Sequence, residues 1–427
     1  MPQDKKENPM NAGKIIVTAV LICIVAITVF HFIHYFLYCR YKGIPDKSHC
    51  AVCGHRRICQ KYHNKGIFHR VIGMIIAAAA CVLVLFILYF AYLTFTYHRL
   101  PDHLKLTVNK TSDSGNAETG KLQTGKDYTI LTYNIGFGAY TPDYSFFMDG
   151  GKHSWAKSRE SVYADIAGAG TLMDSYDPDF AFIEEIDTDS TRSYHVNECS
   201  ILDRYFPACY RIDAVDYDSA FLILPIYQPH GFCKAQLSMY SRYPVISAER
   251  RSFPVSTGFS RFFDLDRCYS VSKIPAENGH ELCLYMLHMS AYGSDDSIRK
   301  AQVAMLCDDM KSDIKEGNYV ICGGDFNHDL KAEWGKQGKV SWACPFPKQD
   351  LPDGLSFYID TIPGKEKAEM PDSARNDDIP YTKGVTYTVT LDGFIISDNI
   401  KVDLYEVVDN EFQFSDHEPV VMSFMLK

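Results

Sequence analysis

The chain has 427 residues, 46% hydrophobic and 13% aromatic, which is enough for a large core or two domains and excludes a disordered chain. Its formal charge of −10 is unevenly spread: residues 1–100 carry twelve Lys and Arg against three Asp and Glu, residues 101–427 thirty-one against fifty. The second part, at −19, repels polyanions, which argues against non-specific nucleic-acid binding.

Two apolar stretches without Asp, Glu, Lys or Arg dominate the first hundred residues, 22 residues at 15–36 and 25 at 71–95. At about 1.5 Å per residue, a helix from either crosses a bilayer core about 30 Å thick. Neither offers a polar face to water, which argues against core helices of a soluble protein. The first is too long for a signal peptide and lacks a small-residue cleavage site. Between them, residues 37–70 hold eight Lys and Arg and one acid, Asp46. Short loops rich in Lys and Arg stay cytoplasmic. The expectation is a two-helix transmembrane hairpin within residues 1–99, with both termini and the acidic domain on the extracytoplasmic face. The same loop spaces Cys50, Cys53, Cys59 and His63 as C-x2-C-x5-C-x3-H. Three thiolates and an imidazole suit a tetrahedral Zn2+; a basic loop with incidental cysteines suits the pattern equally well.

Residues 100–125 are polar, closing on NKTSDSGNAETGKLQTG, and read as a flexible linker. Over 126–427 strand-like and helix-like segments alternate. Strands are expected at 127–135, 179–186, 235–241, 267–274, 282–289, 318–324, 386–390, 393–398, 401–408 and 419–426. Helices are expected at 157–176 and 297–316, the second with Val303, Leu306 and Met310 on one face. This mixture suggests two packed sheets covered by helices. Residues 330–383 form an expected loop flanking the cleft. Within it, Arg375 either forks onto a phosphate or pairs with Asp377 or Asp378. Eight cysteines (Cys199, Cys209, Cys233, Cys268, Cys283, Cys307, Cys322 and Cys344) permit disulfides in an oxidising compartment. Cys283 and Cys322 sit in apolar runs that core packing explains equally well.

Several strands end in polar residues: Asn134; Glu184, Glu185 and Asp187; His288; Asp325 and Asn327; Asp392; and Asp416 with His417 before the last strand. Each alone is explained by a turn, a cap, a solvated strand end or a satisfied core histidine. Together, carboxylates and amides suit a hard divalent cation, and two histidines beside them suit phosphoryl chemistry. In VICGGDFNHD, Asp325 and Asn327 flank Phe326, so a strand's two-residue period aims both at one point.

The ordered set T-Y-N, E-E, H, G-D-F-N, D-G-F and S-D-H, with YSRYPV at 240–245, resembles the endonuclease/exonuclease/phosphatase superfamily over residues 127–427. The resemblance implies an α/β fold, a four-layer α/β sandwich, and hydrolysis of a phosphodiester or phosphomonoester with Mg2+ or Mn2+. It implies that Glu185 binds the metal, with Asn134 beside it and Asp416 near it. Asp325 orients or deprotonates the attacking water, and Asn327 holds the phosphate and nucleophile. His417 acts as general base or acid, with Asp392 fixing its tautomer, and His288 donates to a non-bridging phosphate oxygen. The C-D-R signature of inositol polyphosphate 5-phosphatases is replaced by VTLDGFIIS, which disfavours a phosphoinositide. An acidic domain at a membrane favours a lipid headgroup or a small phosphodiester. An extracellular nuclease is the alternative, since bound metal offsets the repulsion of a nucleic acid. A catalytically inactive membrane-tethered binding module is the other, but it would be expected to have lost Glu185, Asp325, Asn327 or His417, and all four are present.

Overall fold

A computed structural model describes residues 56–111, 120–256, 258, 261, 265–290, 296–332 and 343–427. The chain divides into two units, Met1–Tyr97 and His98–Lys427. In the first, one helix is described, α1 (Arg56–Thr96). Its Val71–Thr96 portion is the one stretch among the described residues long and apolar enough to cross a membrane. The expected first span at 15–36 lies outside the described residues, so the two-helix hairpin rests on sequence alone. Cys50 and Cys53 lie outside them too, while Cys59 and His63 fall on α1 one turn apart.

The second unit is built on two seven-stranded mixed sheets. The first runs in the order β15 (Ile400–Val407), β16 (Val420–Leu426), β3 (Asp127–Asn134), β4 (Phe180–Asp187), β6 (Lys234–Ser241), β5 (Tyr210–Asp218), β2 (Val108–Lys110). The second runs β1 (Leu104–Lys105), β7 (Ser247–Ser252), β8 (Cys268–Pro275), β9 (Glu281–His288), β10 (Tyr319–Asp325), β14 (Asp392–Ser397), β11 (Leu355–Phe357). A small ribbon pairs β12 (Ala374–Arg375) with β13 (Thr388–Val389).

Strand periodicity sorts the core. Alternate residues point to opposite faces, so Phe180 and Phe182 of β4 join Ile321 of β10 and Phe394 of β14 between the sheets. Their neighbours Ala181 and Ile183 face outward onto α2 (Arg159–Asp174), where Val162 and Ile166 cover them. On the far side, Val320 and Cys322 face α3 (Asp296–Lys315) through Val303, Leu306 and Met310. The order helix, sheet, sheet, helix is the expected four-layer sandwich. Ser158 starts α2 with a capping box, its side chain accepting from Ser161 N while the Ser161 hydroxyl accepts from Ser158 N.

Three expectations change. The described parts of the expected 100–125 linker are tied down: β1 and β2 pair onto the edges of both sheets, and Leu122 is fully buried, bridging Ala276. Short strands in polar sequence carry no periodicity to read, and pairing onto an existing edge supplies their hydrogen bonds. Two further strands, β5 and β7, also stand outside the expected set. Arg250, the centre of the polar-looking β7, is fully buried and donates from its guanidinium to the carbonyls of Val215 and Asp266. Cys199, Cys209, Cys233, Cys268, Cys283, Cys307 and Cys322 are buried free thiols, so they pack as small apolar side chains.

Candidate active site

Register gathers the polar strand ends on one rim. β3 and β4 are parallel and level at Asn134 and Glu184. β9 and β10 are parallel and level at His288 and Asp325. β14 runs antiparallel to β10, so it begins where β10 ends, with Asp392 opposite Asp325. β16 runs antiparallel to β3, which brings His417, just before it, to the same end. The two sheets are joined there by Asn134, whose Nδ2 donates to Asp325 Oδ2 and to Glu185 Oε1, each at 3.3 Å.

The adjacent glutamates separate completely. Glu184 is fully buried, accepting from Thr132 Oγ1 at 2.9 Å. Burial, reinforced by the Asp392 charge, raises its carboxyl to about 8, so at neutral pH it is an uncharged acid within the sheet. Glu185 sits at a β-bulge between Ile183 and Ile186 with φ of +57°. The extra residue turns its side chain out of the alternation and onto the rim, where it is 22% exposed. A solvated strand end is therefore the wrong description of Glu184.

Asp325 is the hub. Its Oδ2 lies 3.3 Å from His288 Nε2 and 3.8 Å from His417 Nε2. Burial alone would favour its neutral form, but the two histidines outweigh that and hold the carboxyl well below the usual range. Asn327 donates from its backbone N–H to Asp325 Oδ1 at 2.8 Å and from Nδ2 to Met289 O at 2.9 Å. Its φ is +50°, so it has left the strand. The two side chains converge because an Asx turn folds Asn327 back onto Asp325, not because a strand's period continues through Phe326.

His288 is buried between carboxylates, with Nδ1 3.5 Å from Asp216 Oδ2 and Nε2 3.9 Å from Glu185 Oε1. Burial and Arg267 lower its pKa, but Asp216 and Asp325 dominate and raise it to about 9. His417 places Nδ1 2.8 Å from Asp392 Oδ2. Burial opposes its charge, yet Asp392 and Asp325 hold it protonated well above the ordinary range. Burial pushes Asp392 up to about 6, against the pull of His417, so at neutral pH the pair is carboxylate and imidazolium. Ser373 Oγ donates to Asp392 Oδ2 at 2.7 Å and accepts from Asp392 N at 3.0 Å. Asp416 accepts from Ser415 Oγ at 3.1 Å. Arg375 is buried against Asp377 with Nη1 to Oδ1 at 2.5 Å, so the paired reading holds.

Sequence reading did not single out Asp216 or Ser373. Asp216 had a signal: Ile212, Ala214 and Asp216 alternate inward along β5, and an acid in an inward register needs a partner. Ser373 had none, because its partner lies nineteen residues on in a separate strand. The 330–383 segment does reach the cleft, through Ser373 and the bridge between Ala374 and His417.

Two seats for a cation can be weighed. Ligand atoms of Asp325, Asp392 and His417 lie within 4.8 Å of one another, but the imidazole and Asp392 are already hydrogen-bonded to each other. Glu185 is the more exposed carboxylate, with the Asn134 amide beside it. Nearby, Asp392 Oδ1 and both Asp216 oxygens are buried without a hydrogen-bond partner among the described residues. This excess of oxygen donors and negative charge fits a hard divalent ion.

The fold and rim define an α/β-sandwich hydrolase site built on carboxylates, amides and two histidines. Residues 131–417 match the Endonuclease/Exonuclease/phosphatase family, and the chain belongs to that family. No curated protein matches the sequence. Among solved structures, an endonuclease/exonuclease/phosphatase from Beutenbergia cavernae DSM 12333 is 14% identical with a TM-score of 0.50, covering 70% of this chain and 72% of that one. D. rerio TDP2 complexed with single strand DNA product is 15% identical, TM-score 0.47, over 70% and 99% of the chains. The human Nocturnin catalytic domain with bound sulfate is 16% identical, TM-score 0.45, over 72% and 97%.

Proposed function

We propose that this chain is a divalent-metal-dependent phosphoesterase, using Mg2+ or Mn2+, that acts at a membrane on a lipid headgroup or a small phosphodiester. The observation that carries the reading is the convergence of Asn134, His288 and His417 on Asp325, with Glu185 held by the Asn134 amide. Glu185 and Asn134 would hold the metal, with Asp416 close to it. The bound ion supplies charge neutralisation at the phosphate. Asp325 orients or deprotonates the attacking water. Asn327, pinned by Met289 O and Asp325, presents its amide to the phosphate. Asp392 holds Nδ1–H of His417, leaving Nε2 to exchange a proton with water or leaving group. His288, protonated, donates to a non-bridging oxygen and stabilises the charge that builds there.

The membrane part of the reading is supported by the apolar portion of α1, and its orientation rests on the basic 37–70 loop, which favours an extracytoplasmic domain. The net charge of −19 on residues 101–427 favours a small or lipid phosphoester over a nucleic acid. Full-length protein assayed with Mg2+ against bis-p-nitrophenyl phosphate, sphingomyelin and plasmid DNA tests it. Turnover of the first two is expected. No turnover of any phosphoester with metal present favours the binding module, and turnover of DNA alone favours the nuclease. Labelling of cysteines in the 37–70 loop from outside intact cells would overturn the orientation.

A further inference from the structure

The loop between β5 and β6 leaves the site rim and exposes large apolar side chains. Leu224 is 51% exposed, Ile226 81% and Tyr227 72%. The tip is nevertheless held in shape. Leu222 bridges Gly231, His230 N donates to Leu224 O at 3.1 Å, and Gln228 N donates to Pro225 O at 3.0 Å. Two contacts brace its side: Trp155 Nε1 donates to Pro229 O at 2.8 Å, and Tyr227 Oη donates to Lys152 O at 3.1 Å. An ordered tip that presents leucine, isoleucine and tyrosine to water has a partner elsewhere.

Two placements identify that partner. The loop grows from the active rim: Asp216, two residues before β5 ends, faces His288, and Ala235 at the start of β6 pairs with Asp187 just past Glu185. It also stands where the chain enters the domain. Apolar helix α1 ends at Thr96, and His98 Nε2 lies 3.2 Å from Asp218 Oδ2, the last residue of β5 and the base of the loop. Two residues span only about 7 Å of chain, so the segment read as spanning the bilayer is tethered within that reach of His98 and the loop's base. Aliphatic and Tyr side chains with a Trp at the base suit the interfacial zone.

We infer that the 219–233 loop inserts its apolar tip into the bilayer that anchors the chain, and so presents the active rim to phosphoesters at the lipid surface. This rests on the membrane-phosphoesterase reading above and narrows its substrate to a lipid headgroup in place.

The test uses the full chain in phosphatidylcholine vesicles. Ile226→Trp should give added fluorescence that lipids brominated on their acyl chains quench, whereas Leu404→Trp, exposed on the edge strand β15 with β16, β3 and β4 between it and β6, should not be quenched. Leu224→Glu, Ile226→Glu and Tyr227→Glu together should lower hydrolysis of a vesicle-embedded lipid phosphodiester by about tenfold or more, the ratio expected when apolar burial of this size is lost. The same variant should turn over soluble bis-p-nitrophenyl phosphate at the unmodified rate. Equal quenching at both positions, no quenching at 226, quenching there by single-stranded DNA instead, or parallel loss on both substrates overturns the inference. Release of the whole chain from vesicles by alkaline carbonate overturns the anchor and the inference with it. A chain that turns over neither substrate sinks the phosphoesterase reading, while quenching still decides the loop on its own.

Discussion

His417 Nδ1 lies 2.8 Å from Asp392 Oδ2, and the same oxygen receives the Ser373 hydroxyl at 2.7 Å. This chain of contacts fixes one imidazole tautomer and aims Nε2 at Asp325. Asp392→Asn keeps the shape but offers an amide N–H or a weaker acceptor. It should lower kcat by about 10²- to 10⁴-fold with little change in KM. His417→Ala should cost a similar amount, and the double variant little more, because the residues act as one unit. Steady-state kinetics on a soluble phosphodiester decide it; losses that simply multiply would refute a shared role.

Glu185 owes its position to the bulge and a left-handed backbone, and Asn134 holds its carboxylate. EDTA should abolish turnover and Mg2+ restore it. Mg2+ should also raise Tm, since a ligand at about 100 times its Kd adds about 2.7 kcal/mol. Glu185→Gln should remove most of that thermal shift and raise the metal concentration needed for half-maximal rate at least about tenfold. An unchanged Mg2+ shift in the variant would place the cation elsewhere.

Gly324 precedes Asp325 with φ of +135°, and a Cβ built there would overlap the Leu287 carbonyl oxygen. Gly324→Ala must either push β9 and β10 apart or abandon the backbone conformation. The expected cost is on the order of 3 kcal/mol, read as a lower denaturant midpoint. Activity should fall as well, because His288 and Asp325 sit on the two strands being separated. A variant as stable as the parent would show that this close approach is not required.

Asp165 on α2 gives a pH test away from the rim. Burial, with a small addition from Asp143 and opposition from Lys157, raises its carboxyl from 3.8 to about 7. The folded state therefore holds a proton that the unfolded chain has released between those values. Stability falls as pH rises through that window. Asp165→Asn should remove this fall, so its Tm relative to the parent should be higher at pH 8 than at pH 4. Parallel Tm profiles from pH 4 to pH 8 would contradict the half-buried, proton-holding environment.

Local pattern was legible. Alternating apolar residues announced β3, β4, β6, β8, β9, β10 and β16, and Val303, Leu306 and Met310 announced the buried face of α3, because faces follow from chain geometry over a few residues. The polar residues at strand ends were legible as a set for the same reason: each motif is short. Their meeting was not. Whether Asp392 comes level with Asp325 depends on the antiparallel direction of β14, and whether Glu185 rather than Glu184 reaches the rim depends on one bulge against β6. Asp216 on His288 and Ser373 on Asp392 are contacts across separate strands, which no local spacing encodes. The edge strands β1 and β2 exist because an open sheet edge offers them hydrogen bonds, a force their own composition does not display. Sequence determined which polar residues stand at strand ends and which faces are buried; tertiary pairing decided which of them touch, since distance between side chains is set by register and direction once the sheets close on each other.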